Sequence, residues 1–147
     1  MMIDQVTNAG AAPALEMVIR FAGARQREIA HNVANLTTPG FRPVEASVGG
    51  FQEMLRGAIH ARRAGTGGMH GNLDWKAGGT FRRGADGGLE MRPRVGTDGL
   101  VFQDGAQRDL ERQMQAVAEN AAAFRMATDL LRQQTGMIRA AMSERVT

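Results

Sequence analysis

Apolar residues recur at alternating steps of three and four near both ends of the chain. The N-terminal series is Ala12, Leu15, Ile19, Ala22, Gln26, Ile29, Val33 and Leu36, with Gln26 its single polar member. The C-terminal series is Leu110, Met114, Val117, Ala121, Phe124, Thr128, Leu131, Thr135, Ile138 and Met142, sustained for more than four heptads. This spacing predicts two helices with heptad seams, and its seven-residue period implies a left-handed supercoil. Thr128 and Thr135 stand where an isolated helix pair prefers Leu or Ile. Either they trade stability for register, or their methyls fill narrow space while the hydroxyls bond back to the helix.

Between these series, Phe51 to Arg63 places Phe51, Met54, Leu55, Ala58 and Ile59 on one face, predicting a short amphipathic helix. From Ala64 to Gly88 no period survives, and the stretch reads as a flexible or weakly ordered loop. Leu89 to Val95 reads as a short extended segment that Pro93 confines to an edge or to non-strand backbone. The expected fold is therefore mainly α, with long N- and C-terminal helices pairing as a coiled coil. A short amphipathic helix and a Gly-rich irregular middle separate them. The divisions are an N-terminal coiled-coil helix over 1–38, a turn and short helix over 39–63, a Gly/Arg-rich loop and extended segment over 64–108, and a C-terminal coiled-coil helix over 109–147.

Composition sharpens this picture. Of 147 residues 43% are hydrophobic, yet six Phe, one Trp and no Tyr leave an aromatic share of only 5%, so Ala and Met must supply much of the packing. Fifteen of the nineteen glycines lie between Gly49 and Gly105, which separates a helix-poor middle from its flanks. The formal charge is +3, but Arg56 to Arg94 holds eight Lys or Arg against three Asp or Glu, leaving −2 for the remainder. An anionic partner would thus meet the middle. Gly23 weakens the first helix by about 1 kcal/mol relative to Ala, so that helix needs a partner to hold it. Its polar face carries Arg20, Arg27, Glu28 and His31, while Asp109, Glu111, Arg139 and Arg145 match the dipole of the last helix.

Candidate chemistry is sparse. There is no Cys, hence no disulfide, thiolate or zinc–thiolate set. His31, His60 and His70 lack metal-ligand spacing, and no Ser-His-acid arrangement is suggested. Glu90, Asp98 and Asp104 lie near Gly, where turn duties are commoner than acid–base chemistry. The expectation is a non-enzymatic protein without cofactor or metal. No apolar run approaches the roughly 20 residues of a membrane span, and no cleaved signal peptide is expected. Arg62, Arg63, Arg82 and Arg83 with Trp75 and Phe81 outline a basic, aromatic loop that would suit nucleic acid. The alternative for these residues is a solvated linker whose arginines keep it soluble.

The most specific stretch is His31 to Phe41, HNVANLTTPGF. Pro39 disfavours helical backbone at Thr38, so the first helix must end by about Thr37. Thr38-Pro39-Gly40-Phe41 has the composition of a type II turn, with Gly40 supplying the positive φ. Asn35, Thr37 and Thr38 are placed to satisfy the last carbonyls and the turn amides.

The pattern Asn32, Asn35, Thr38, Pro39, Gly40, Phe41 resembles the signature that follows the N-terminal helix of bacterial flagellar rod and hook proteins. The last helix, opening at Asp109 and Glu111 and passing through Ala118 to Asn120, resembles that of a proximal-rod member. His31 stands where the family often has Asn, and Arg42 where Lys is common; both changes keep polarity. Residues 65–88 match nothing in the pattern.

The resemblance implies a structural subunit exported by the flagellar type III apparatus and built into the rod that crosses the periplasm. It implies as neighbours other copies of the chain, the rod protein FlgC, the hook–basal body protein FliE and the MS-ring, with neither nucleic acid nor membrane insertion. Phe41 is then expected to anchor the redirected chain on a neighbouring subunit. A generic coiled-coil adaptor is the competing reading: it accounts for the seams but not for the turn.

Overall fold

The computed structural model describes residues 9–85, 87–92, 94–95 and 110–144. Pro93, Asp98, Asp104, Asp109 and Arg145, which carried expectations above, lie outside them. Helix α1, Ala12–Ala34, starts with Pro13 in its first turn, where a missing N–H is harmless, and runs through alanine-rich sequence to Asn35. After a two-residue strand β1, Val44–Glu45, comes α2, Val48–Thr66. The Ser47 hydroxyl caps α2 by accepting the Gly50 N–H at 3.0 Å. Gly67, at φ +65°, ends it by donating its N–H to the Arg63 carbonyl. These caps extend the helix beyond the Phe51–Arg63 core read from its apolar face.

Strands β2, Phe81–Arg83, and β3, Leu89–Met91, form an antiparallel hairpin, and β4, Arg94–Val95, pairs with β1. The last helix, α3, spans Leu110–Glu144. The described residues are thus mainly helical, with three helices and two short strand pairs.

Residues 64–88, expected to form a flexible loop, instead contribute to the core. Trp75 and Phe81 are buried with Met17 and Phe21 of α1 and Phe51 and Ala58 of α2. Phe21 and Phe51 stack with centroids 4.0 Å apart, and Phe81 meets both rings at steep angles about 6 Å away. Three of the few aromatics are thus gathered at one point, where each buries more apolar area than Ala or Met does. Isolated aromatics in a Gly-rich run have no periodicity, which is why sequence pattern misses them.

Arg62 is not part of a solvated linker, one of the two readings its sequence context offers. It is buried and donates to the Gly10 carbonyl at 2.6 Å and the His70 carbonyl at 3.4 Å, tying the end of α2 to the start of α1.

Helices α1 and α3 lie side by side and antiparallel: Gln113 meets Asn32, Asn120 meets Ala22 and Gln26, and Gln134 meets Ala9. On α1, Ala12, Ala22 and Ile29 are buried and Leu15, Ile19 and Val33 half-buried, as is Leu36 just beyond its end. On α3, Val117, Ala121, Leu131 and Ile138 are half-buried, whereas Leu110, Met114, Phe124 and Met142 are exposed. The most buried row of α3 is Gln113, Asn120 and Ala127, and Gln134 continues it at the same seven-residue spacing. The face turned to α1 therefore pairs that row with Val117, Leu131 and Ile138. At 100° per residue it is rotated by about 50° from the face that apolar spacing selects. Thr128 and Thr135 bond back to the carbonyls of Phe124 and Leu131, each at 2.8 Å.

Candidate functional site

The HNVANLTTPGF stretch folds as a helix stop built from its own side chains. Asn35 closes α1: its backbone N–H reaches the carbonyls of His31 and Asn32, and its side-chain amide donates to the His31 carbonyl at 2.8 Å. The Thr38 N–H donates to the Asn35 carbonyl at 2.9 Å, and the Phe41 N–H to the Thr38 carbonyl at 3.2 Å. Gly40 has φ +71°, the conformation a type II turn demands at its third residue. The exposed turn is formed by Thr37, Thr38, Pro39 and Gly40, while Phe41 folds back, half-buried, with its ring 5.6 Å from that of His31.

Asn32 has a different task. It is the one side chain among the described residues that is both large and fully buried. Its amide donates to the Val44 carbonyl at 2.7 Å, its oxygen accepts the Val44 N–H at 2.9 Å, and the amide also reaches Gln113 at 3.3 Å. A primary amide presents a donor and an acceptor side by side, as a peptide group does. Asn32 thus receives the returning chain at Val44 as a neighbouring strand would, and links it to α3. The two asparagines of the motif divide the work: Asn35 ends the helix, and Asn32 fixes the direction in which the chain leaves.

Beneath this returning segment lies a polar cavity of about 400 Å³, lined by Arg25, Glu28, Asn32, Glu45, Arg112, Gln113 and Glu119, among others. Arg112 pairs with Glu45 at 2.9 Å, and Arg25 lies 4.0 Å from Glu119. Glu28 accepts a hydrogen bond from the Ala46 backbone, but its Oε2 is buried without a partner. Burial raises its pKa above the ordinary value, against the opposing pull of Arg25, the Ala46 hydrogen bond and Arg27. Gln113, Asn120, Gln134, Glu28 and Arg62 were not singled out as site residues by apolar spacing. The first three stand seven and fourteen residues apart, on one row with Ala127, and that spacing was the signal available.

A larger cleft, about 720 Å³, separates α2 from the Asp74–Phe81 stretch, with Met54, Ala58 and Phe81 among its apolar lining and Glu53, Lys76 and Arg94 among its charged residues. Arg83 lies over the Trp75 ring, 4.9 Å from its centroid, and bonds to Asp74 and the Trp75 carbonyl. Trp75 and Phe81, each 4% exposed, do not present free faces to stacking bases. Among the described residues no group of three His, Asp or Glu could hold a metal ion, and no helix is long and apolar enough to cross a membrane. No protein-family model matches the chain, and a search of curated proteins finds no match either.

Proposed function

We propose that this chain is a structural subunit of the proximal rod of the bacterial flagellar basal body, resembling FlgB, that polymerises to transmit torque from the MS-ring toward the distal rod and hook. The observation that carries the reading is the motif from Asn32 to Phe41 acting as a built redirecting device. The helix stops at Asn35, and Asn32 clamps the returning backbone at Val44. A generic adaptor has no need for such a device at the end of its first helix. Support also comes from the antiparallel approach of α1 and α3, which we read as the paired terminal helices of a coiled coil. The apolar side chains that α3 leaves exposed would then be buried by neighbouring subunits.

In this role the protein acts by staying packed. Its partners are further copies of itself, FlgC, FliE, the MS-ring and the type III export apparatus that delivers it across the inner membrane.

Deletion of the gene in its own bacterium, in a strain without a second copy, tests this. Basal bodies that stop at the membrane ring, lacking rod and hook, with loss of swimming, are the expected outcome. Normal swimming with intact rods refutes the reading and leaves the coiled-coil adaptor.

A further inference from the structure

A seam of apolar residues repeating every seven positions has a weakness: it nearly matches itself when one helix slides by a heptad. The row Leu110, Val117, Phe124, Leu131, Ile138 is apolar throughout, with Val117, Leu131 and Ile138 half-buried toward α1, and the α1 series is apolar except at Gln26. A slide of seven residues, about 10.5 Å along the axis, would set apolar against apolar again. The ion pairs oppose it weakly: Arg112 and Glu45 are both well exposed, and Arg25 lies 4.0 Å from a Glu119 that is exposed.

The buried row of α3 does oppose it. Asn120, 3% exposed, donates to the Ala22 carbonyl at 2.9 Å and to the Gln26 side chain at 3.0 Å. One heptad earlier Gln113 accepts from Asn32, and two heptads later Gln134 donates to the Ala9 carbonyl at 2.6 Å. Each rung has a different partner: a motif asparagine, a mid-helix carbonyl with a glutamine, and the carbonyl of the residue before Gly10. After a slide the rungs meet other groups, and buried amides lose partners. The intervening position, Ala127, is small and makes no such demand.

We propose that Gln113, Asn120 and Gln134 are register-setting residues, which fix the axial position of α3 against α1 where the apolar seam alone would not. Buried polar side chains in other helical seams set register in the same way. The consequence for this chain is that the distance from the Thr38–Phe41 turn to any point on α3 is fixed.

The absence of cysteine permits a direct test on the full chain. Ala9→Cys is combined in separate proteins with Ala127→Cys, Gln134→Cys or Ala141→Cys, three positions seven residues apart. Disulfides are then mapped under oxidising conditions in monomer fractions. The Gln134 amide reaches the Ala9 carbonyl at 2.6 Å and the other two positions lie about 10.5 Å along the helix to either side, so Ala9/Gln134 is the combination expected to bridge in the native register. Adding Gln113→Leu and Asn120→Leu, with Gln134→Leu as well in the two proteins that retain Gln134, keeps the helices apolar enough to pair and is expected to raise one shifted bridge, to position 127 or 141, from background to a share comparable with the native one. Asn120→Ala alone, a milder change, should shift part of the population in the same direction. Native bridging alone in both backgrounds overturns the proposal, and so does loss of bridging at all three positions, because a helix freed to slide still finds a register.

Discussion

Replacing Asn32 by Ala is the sharpest perturbation of the redirecting turn. The change deletes two hydrogen bonds to Val44, of 2.7 and 2.9 Å, and a longer one to Gln113, from a side chain that is 2% exposed but borders the polar cavity beneath the returning segment. An unsatisfied buried polar group costs about 1–3 kcal/mol, and Val44 is only half-buried, so its groups recover part of that from solvent. A total of about 2–4 kcal/mol is expected, roughly 5–15 °C in Tm for a chain of this size. Denaturant and thermal unfolding measure it, with Asn35→Ala as the reference. Asn35 is less buried and its side chain makes one short bond, to the His31 carbonyl, so its loss should cost about 0.5–1.5 kcal/mol. Amide exchange at Val44 should accelerate in Asn32→Ala and not in Asn35→Ala. If the two variants lose equal stability, or if Val44 exchange is unchanged, Asn32 is not the clamp.

Gly40→Ala should destabilise by about 1–2 kcal/mol from backbone strain, since φ is +71° and a Cβ there meets nothing within 4 Å. Gly23→Ala, inside α1 with equally open space, should stabilise by about 0.5–1 kcal/mol, and the two opposite signs are read from urea midpoints. Phe41→Ala should cost the folded chain about 1 kcal/mol through lost packing on His31, and should impair assembly with rod partners more than folding; equal loss in melting and co-assembly assays counts against an intersubunit role. Glu28 has a folded pKa above its ordinary 4.5, so its contribution is greatest below that pH and is lost as pH rises through the folded value. Glu28→Gln should therefore be the more stable protein at neutral pH and flatten the pH–stability curve; a destabilised Gln variant at pH 7 refutes this. Amide exchange of the purified chain should be least protected toward the end of α3, and uniform protection there in a monomer contradicts the expected need for neighbours.

The turn was legible because its determinants are local. Proline ends the helix, glycine takes the positive φ, and neither depends on the rest of the fold. Helix α2 was legible from the spacing of Phe51, Met54, Leu55 and Ala58. The facing of α3 was not, because counting apolar side chains assumes that the most apolar stripe turns inward. Here Asn120 and Gln113 hold a neighbouring row inward through hydrogen bonds to residues more than 80 positions away. Trp75, Phe81 and Arg62 were hidden for a similar reason: each is fixed by long-range contacts that local sequence does not encode.

Helix α3 buries amide side chains beside Val117, Leu131 and Ile138 and leaves larger apolar side chains exposed. Glutamine and asparagine line its buried row, while Leu110, Met114, Met126, Leu130, Met137 and Met142 are each 46% exposed or more. If burial within the monomer alone had shaped this helix, burying Met or Leu would stabilise by about 1.5–3 kcal/mol per side chain, more than a hydrogen-bonded amide contributes. Polar rungs inside and apolar rows outside make sense where the inner contact must specify one register and the outer surface must be covered by another chain. The clamp at Asn32 belongs to the same arrangement, because it joins the first polar rung, Gln113, to the segment that leaves the turn. Register, turn and exposed rows are thereby held in one fixed relation, which is what the load-carrying subunit proposed above requires.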